Sequence, residues 1–137
     1  ESLSLLERSS SPRFFIVTSA STREPVPGLT LSNVFRPGIV GLVKEISNQY
    51  ASKGLRCHSL APGRIDTDRL AAVFEMQAKN NNCSSGDMRE KALESIPAGR
   101  FGKVQDLGSL AAFLSSPNAD YLTGQNWLVD GGLVKSL

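Results

Sequence analysis

The chain has 137 residues, of which 40% are hydrophobic and 20% charged, as in one globular domain and unlike a disordered chain. Its 15 Lys and Arg against 13 Asp and Glu leave a formal net charge of +2, which is too small to predict nucleic-acid binding. No apolar run reaches the roughly 18 residues of a membrane-spanning helix, so we expect no membrane partner.

The first residues, the cysteines and the histidine bear on compartment and metal binding. Residues 1–8 combine no basic stretch with an apolar one, so no signal peptide is predicted. Cys57 and Cys83 lie far apart without a CxxC pattern, which predicts no metal site and favours a reducing, cytoplasmic location. His58 lies inside a predicted strand without companion ligands, so we interpret it as a core residue.

The first half of the chain predicts a strand followed by a helix. Residues 1–11 are typical of a short amphipathic helix, and residues 13–18 form a continuous apolar run that predicts a strand buried on both faces. A loop rich in Pro and Gly follows over residues 19–30. The next helix should begin around residues 32–36, because Pro37 is tolerated only in the first turn.

The second half continues the alternation. We predict a strand over residues 55–60, two helices around an elbow within residues 66–97, a helix near residues 107–114 and a last strand over residues 126–129. This order predicts an α/β fold with a parallel sheet and helices on its faces. Three strands make a narrow sheet with two exposed edges, so we expect further strands to complete it.

Four segments in order resemble the C-terminal half of short-chain dehydrogenases/reductases. They are APGRIDT at 61–67, GRFG at 99–102, LAAFL at 110–114, and YLTGQ at 121–125 with VDGG at 129–132. The resemblance implies that residues 1–137 are part of a Rossmann-type, doubly wound α/β/α domain. It also implies hydride transfer between NAD or NADP and a small alcohol or carbonyl substrate, and assembly into dimers or tetramers.

The motifs of that family's N-terminal half have no counterpart in this sequence. The chain contains neither GxxxGxG nor GxGxxG, the glycine-rich loop that lets a helix N-terminus approach the pyrophosphate. The acidic ribose-binding residue of the family's second strand is missing too. We therefore expect the N-terminal nucleotide-binding half to be absent, and this stretch alone not to hold a dinucleotide tightly.

The resemblance also implies catalytic positions. In the family a Ser polarises the substrate oxygen, a Tyr passes the proton, and a Lys four residues later lowers the pKa of the Tyr and binds the ribose. Matched on residues 41–43, these positions fall on Ser19, Ser32 and Arg36. A phenol has a pKa of about 10, whereas an aliphatic hydroxyl is a far weaker acid. Arg36 can still contact the ribose or stabilise an oxyanion, and Ser19 can still donate to a carbonyl oxygen.

The segment after the second strand is the predicted cofactor contact. Pro62 and Gly63 end that strand at its carboxyl end, where ligands bind in open α/β sheets. By resemblance, the backbone of Ile65 would hold the nicotinamide carboxamide and Thr67 would reach the phosphates. The alternative is an ordinary turn in which Thr67 or Asp66 caps a helix.

Residues 66–97 are by resemblance a helical lid over the substrate, and the alternative is a solvated hairpin without a ligand role. Two functions remain open for the protein as a whole. The first is an NAD(P)-dependent oxidoreductase, with weak hydride transfer or a different proton donor. The second is a non-catalytic relative that serves as a cofactor-binding or oligomeric scaffold. A remote third possibility is an unrelated small α/β binding domain.

Overall fold

The computed structural model describes residues 2–136. Its elements alternate in the predicted order: α1 (Ser2–Leu6), β1 (Arg13–Val17), α2 (Thr30–Tyr50), β2 (Arg56–Pro62), α3 (Asp68–Asn81), α4 (Ser85–Glu94), α5 (Val104–Ser115) and β3 (Gln125–Val129). Short 3₁₀ turns at Ala20–Thr22, Ala51–Lys53 and Pro117–Ala119 connect some of them. Within the described residues, no helix is both long enough and apolar enough to cross a membrane.

The sheet is parallel, as the alternation predicts. Its strand order is β1-β2-β3, with β1 paired from Arg13↔Arg56 to Val17↔Leu60 and β3 from His58↔Gln125 to Pro62↔Val129. All three strands therefore end at one edge of the sheet, which is where the candidate residues lie.

Helices cover both faces of the sheet, which confirms the three-layer α/β/α fold. On one face α2 packs through Val43 and Ile46 against Cys57 of β2. On the other face α5 places Leu114, which is fully buried, against Leu60. The α3–α4 hairpin has a separate small core, composed of Phe74, Ala92, Ile96 and Phe101.

The first strand is less buried than its apolar sequence predicts. Phe14 and Ile16 pack towards α2 and Phe15 packs towards α5, but Val17 is 57% exposed. The prediction of a strand buried on both faces is therefore wrong in part. β1 is an edge strand, and among the described residues nothing pairs with its outer side, so full burial would need a neighbouring strand there.

Helix α2 begins earlier than Pro37 predicts. It starts at Thr30, so Pro37 lies inside the helix and cannot donate the hydrogen bond that Asn33 would otherwise accept. Tertiary contacts hold this first part in place. The amide of Asn33 accepts from the N–H of Val26 at 3.0 Å and donates to the carbonyl of Val26 at 2.9 Å. A rule about proline alone cannot anticipate these two bonds.

His58 is a core residue, as predicted. It is fully buried, it stacks on Phe15 with ring centroids 6.0 Å apart, and its Nδ1 accepts from Trp127 Nε1–H at 3.0 Å. Burial lowers the pKa of His58, and nearby Arg13 and Arg56 lower it further, although the carbonyl of Leu122 favours the protonated form. The imidazole is therefore neutral, with its proton on Nε2.

Candidate functional site

The carboxyl edge of the sheet forms the candidate site. Hydrogen bonds extend the pairing beyond the strand ends: the N–H of Thr18 donates to the carbonyl of Leu60 at 2.7 Å, and the N–H of Gly63 donates to that of Val129 at 3.0 Å. These bonds fix where the loops after β1 and β2 begin. Ligands of open parallel sheets bind at this edge.

A chain of hydrogen bonds joins the predicted catalytic residues. Arg36 Nε donates to Ser32 Oγ at 2.9 Å, as residues four apart on one helix face can. Ser32 Oγ lies 3.2 Å from Ser21 Oγ, and the N–H of Ser21 donates to Ser19 Oγ at 3.1 Å. The structure thus brings Ser19, Ser32 and Arg36 into one network, but through a residue that the sequence analysis did not select.

That residue is Ser21, whose hydroxyl contacts Ser32 where Ser19 was expected. Ser19 instead caps the turn Ala20–Thr22, and its oxygen is occupied by the N–H of Ser21. Ser21 itself is buried, with 3% of its surface exposed. The available sequence signal was a second serine two residues after Ser19, at the spacing of a turn that a Ser side chain caps.

The charge of Arg36 has no acidic partner among residues 2–136, since its one hydrogen bond is to Ser32. A guanidinium that donates to a hydroxyl makes that hydroxyl a better hydrogen-bond donor and stabilises negative charge nearby. The Ser21, Ser32 and Arg36 side chains can therefore bind and stabilise a developing oxyanion.

The loop after β2 leaves backbone groups of Ile65 available to a ligand. The N–H of Gly102 donates to the carbonyl of Arg64 at 3.0 Å, and the N–H of Asp66 donates to the carbonyl of Gly102 at 2.8 Å. Between these bonds, the N–H of Ile65 has no acceptor among the described residues, and the carbonyl of Ile65 receives only the Thr67 hydroxyl at 3.4 Å. A carboxamide offers the complementary acceptor and donor, so the N–H and the carbonyl of Ile65 together fit the amide of a nicotinamide.

The neighbouring residues of this loop have structural explanations. Pro62 ends β2 opposite Val129. A Cβ on Gly63 would lie 2.6 Å from the Cβ of Asp130, so the glycine is required by the close approach of the chain after β3. The hydroxyl of Thr67 caps α3, as the alternative interpretation of this turn predicted.

An ion pair anchors the hairpin of residues 66–97 to this loop. Arg89 donates to both carboxylate oxygens of Asp66, each at 3.0 Å, and its guanidinium lies 4.5 Å from the centre of the Phe101 ring. These hydrogen bonds hold the pKa of the Asp66 carboxyl below its usual value. The structure confirms the two helices of this segment, and its lid role stays a prediction.

Metal ligands and surface hollows among the described residues bear on the site. Residues 2–136 contain no group of three or more His, Cys, Asp or Glu that could hold a metal ion. One hollow lies at the hairpin tip, between Glu75 and Ser85, and another beside the end of β3, between Arg100 and Asp130. Neither hollow is lined by Ser32.

The fold and its motifs define a class of protein. Residues 3–134 match the family model described as enoyl-(acyl carrier protein) reductase. The chain belongs to the short-chain dehydrogenase/reductase family, which confirms the resemblance seen in the sequence.

Particular relatives are similar to this chain along much of its length. It is 31% identical over 134 residues to the NADPH-dependent reductase BacG of Bacillus subtilis (strain 168), covering 98% of this chain and 52% of BacG. It is 34% identical over 98 residues to the 3-oxoacyl-[acyl-carrier-protein] reductase FabG of Vibrio harveyi, covering 72% of this chain and 36% of FabG.

A solved structure matches the fold closely. The crystal structure of YwfH, an NADPH-dependent reductase involved in bacilysin biosynthesis, matches with a TM-score of 0.90 and 30% identity, over 98% of this chain and 52% of that one. The chain thus spans about half the length of YwfH and of BacG.

Proposed function

We propose that this chain is the C-terminal part of an NAD(P)-dependent oxidoreductase that interconverts a small alcohol and its carbonyl compound, with NADPH as the cofactor. The observation that carries the proposal is the hydrogen-bonded chain of Ser21, Ser32 and Arg36 at the carboxyl edge of the sheet. The names of BacG and YwfH, both NADPH-dependent reductases, support the choice of cofactor.

In this proposal the loop after β2 holds the nicotinamide end of the dinucleotide. The N–H and the carbonyl of Ile65 bind the carboxamide, and Arg36 contacts the ribose. Pro62 and Gly63 set the position of that loop, and Thr67 lies at the N-terminus of α3, whose partial positive charge favours phosphate. The glycine-rich loop would come from residues outside this chain. When bound, the dinucleotide supplies the hydride.

The side chains of this chain would handle the substrate oxygen. The hydroxyl of Ser32 donates to the carbonyl oxygen and accepts from the hydroxyl of Ser21. Ser19 holds Ser21 in place by accepting from the N–H of Ser21. As the oxygen becomes an alkoxide, the guanidinium of Arg36 stabilises the negative charge. Ser32 then passes its proton to the alkoxide, which has a basicity similar to that of a serine alkoxide, and takes up a proton from solvent, because its side chain is only half-buried. The product is the alcohol.

The α3–α4 hairpin and α2 have proposed roles outside the chemistry. The hairpin, residues 66–97, covers the substrate as a lid, anchored by the pair of Asp66 and Arg89. Exposed apolar side chains along α2 favour a homo-oligomer in which this helix is covered. They are Leu31, Val34, Phe35 and Leu42, each at least half exposed.

The test is NADPH oxidation by the whole gene product with a panel of small ketones and aldehydes, together with NADP⁺ reduction with the matching alcohols. Turnover above that of a Ser32→Ala variant supports the proposal. A protein that is saturated with NADPH and turns over none of these compounds refutes it.

A non-catalytic relative is the second candidate, and one observation favours it. Among the described residues, Ser32 is bonded only to Ser21 and Arg36, so no phenol, imidazole or carboxyl group is present there as a stronger acid. This candidate predicts NADPH binding, measured by cofactor fluorescence, with no hydride transfer and with an oligomer in light scattering.

A further inference from the structure

Arg64 lies in the loop that contains the proposed cofactor contact. It follows Gly63 directly, and its backbone is held in place because its carbonyl accepts from the N–H of Gly102 at 3.0 Å. Its side chain is half-buried. The guanidinium therefore starts from a fixed point at the carboxyl edge of the sheet, next to the available backbone groups of Ile65.

Arg64 differs from every other half-buried arginine of the chain. These arginines are Arg13, Arg36, Arg56, Arg64 and Arg89. Arg13 pairs with Asp120, Arg89 with Asp66 and Arg36 with Ser32, and Arg56 donates to main-chain carbonyls. The side chain of Arg64 alone among them has no hydrogen bond and no acidic partner within residues 2–136. Burial lowers the pKa of its guanidinium, as expected of a partly desolvated cation without a partner.

A half-buried cation without a protein partner can form charge-assisted hydrogen bonds with a ligand that carries negatively charged oxygens. Nearby acids do not compete for this role. Asp66 is paired with Arg89, and the carboxylate of Asp130 accepts from the N–H groups of Gly132 and Val134 at 3.0 and 2.8 Å. The guanidinium of Arg64 carries a single charge in a planar fork, which matches a carboxylate in charge and in geometry.

We infer that Arg64 binds a carboxylate of the substrate, so that the carbonyl substrate is an oxo acid. This inference rests on the proposed oxidoreductase function and adds the substrate class. Arg64 would fix the acid group while the Ser32 end of the hydroxyl chain receives the carbonyl oxygen, which orients the substrate at two points.

The experiment compares 4-oxocyclohexanecarboxylate with its methyl ester, since the two share one ketone and differ in charge. The whole gene product and its Arg64→Met, Arg64→Lys and Arg8→Met variants are assayed for kcat/KM and for NADPH affinity. Arg8 is the matched control, because it lies outside the proposed site, is exposed, and its side chain has no partner among the described residues. We expect Arg64→Met to lower kcat/KM for the acid about 10- to 100-fold, the effect of one charge-assisted hydrogen bond.

In Arg64→Met, kcat/KM for the ester and the affinity for NADPH should change less than about twofold. In Arg8→Met, kcat/KM for the acid should also change less than about twofold. For Arg64→Lys, the loss of kcat/KM for the acid should be intermediate, because lysine keeps the charge and loses the fork. If Arg64→Met lowers kcat/KM equally for the acid and the ester, the inference is overturned. Weaker NADPH binding by Arg64→Met would also overturn it and would assign Arg64 to the cofactor.

Binding without turnover keeps the two proposals distinguishable. If the protein oxidises no NADPH, the oxidoreductase proposal fails, and calorimetry with the same acid and ester still tests Arg64. Tighter binding of the acid by the wild type, lost in Arg64→Met, supports carboxylate recognition. Equal affinity of the wild type for acid and ester refutes it.

Discussion

The contact between Ser32 and Arg36 is the part of the site whose contribution is most directly measurable. Ser32→Ala removes the hydroxyl, and Arg36→Met removes the charge while keeping an unbranched side chain. The two groups are joined by the 2.9 Å bond from Arg36 Nε to Ser32 Oγ, and both side chains are half-buried. If the two side chains act as one unit on the substrate oxygen, removing both should lower kcat/KM little more than removing either one.

The magnitude follows from that bond. A hydrogen bond to a charged group is worth about 1.5–3 kcal/mol, and partial exposure of both partners places this one at the lower end, about 1.5 kcal/mol, because solvent screens the charge. That corresponds to roughly tenfold in rate. We expect each single variant to lower kcat/KM at least about tenfold. The kcat/KM of the double variant should lie within about threefold of that of the less active single variant.

The assay is the loss of NADPH absorbance with the whole gene product at saturating cofactor, and NADPH affinity is measured separately by fluorescence. Ser52→Ala and Arg23→Met are matched controls, because both side chains are exposed, and they should leave kcat/KM unchanged. Losses that multiply in the double variant would show that Ser32 and Arg36 act independently, and the coupled mechanism would have to be abandoned.

Three further predictions concern stability and are measured by urea unfolding of the same protein. Gly63→Ala should lower the free energy of unfolding by about 1–3 kcal/mol, because the added Cβ would meet backbone 2.8 Å away. Gly38→Ala should not destabilise the protein, because nothing lies within 4 Å of its added Cβ. Equal effects of the two changes would contradict the close packing after β2. Leu114→Ala should lower the free energy of unfolding by about 2–5 kcal/mol, because the side chain is fully buried. Phe113→Ala should lower it far less, because Phe113 is 47% exposed. Because burial lowers the pKa of His58 in the folded state, the unfolded state binds its proton first, so the free energy of unfolding should fall as the pH drops below about 6.5. His58→Asn should flatten that pH dependence, and an unchanged slope would show that other groups cause it.

Much of the fold was predictable because its signals are local. The apolar run before Thr18 and the helical spacing of Val43 and Ile46 fixed the alternation of strands and helices, and with it the parallel sheet. The motifs at 61–67 and 129–132, together with those at 99–102, 110–114 and 121–125, indicated the family by resemblance. The start of α2 was not predictable from Pro37, since the side chain of Asn33 holds the first turns against Val26.

The candidate site was predictable in part. Spacing along one helix placed Arg36 beside Ser32, because residues four apart share a face. Spacing along the loop did not show that Ser21 would meet Ser32, since that contact depends on how the turn after β1 folds back on α2.

The amino-acid sequence alone therefore determined the order of elements, the family and the helix that carries Ser32 and Arg36, all of which depend on short-range periodicity and motif. Only the tertiary structure decided that Ser21 contacts Ser32, that Gly63 accommodates Asp130, and that Arg64 alone among the half-buried arginines has no partner within residues 2–136. These contacts join residues that are distant in sequence or lie on separate elements, and their geometry is set by packing across the sheet edge, which no local pattern encodes.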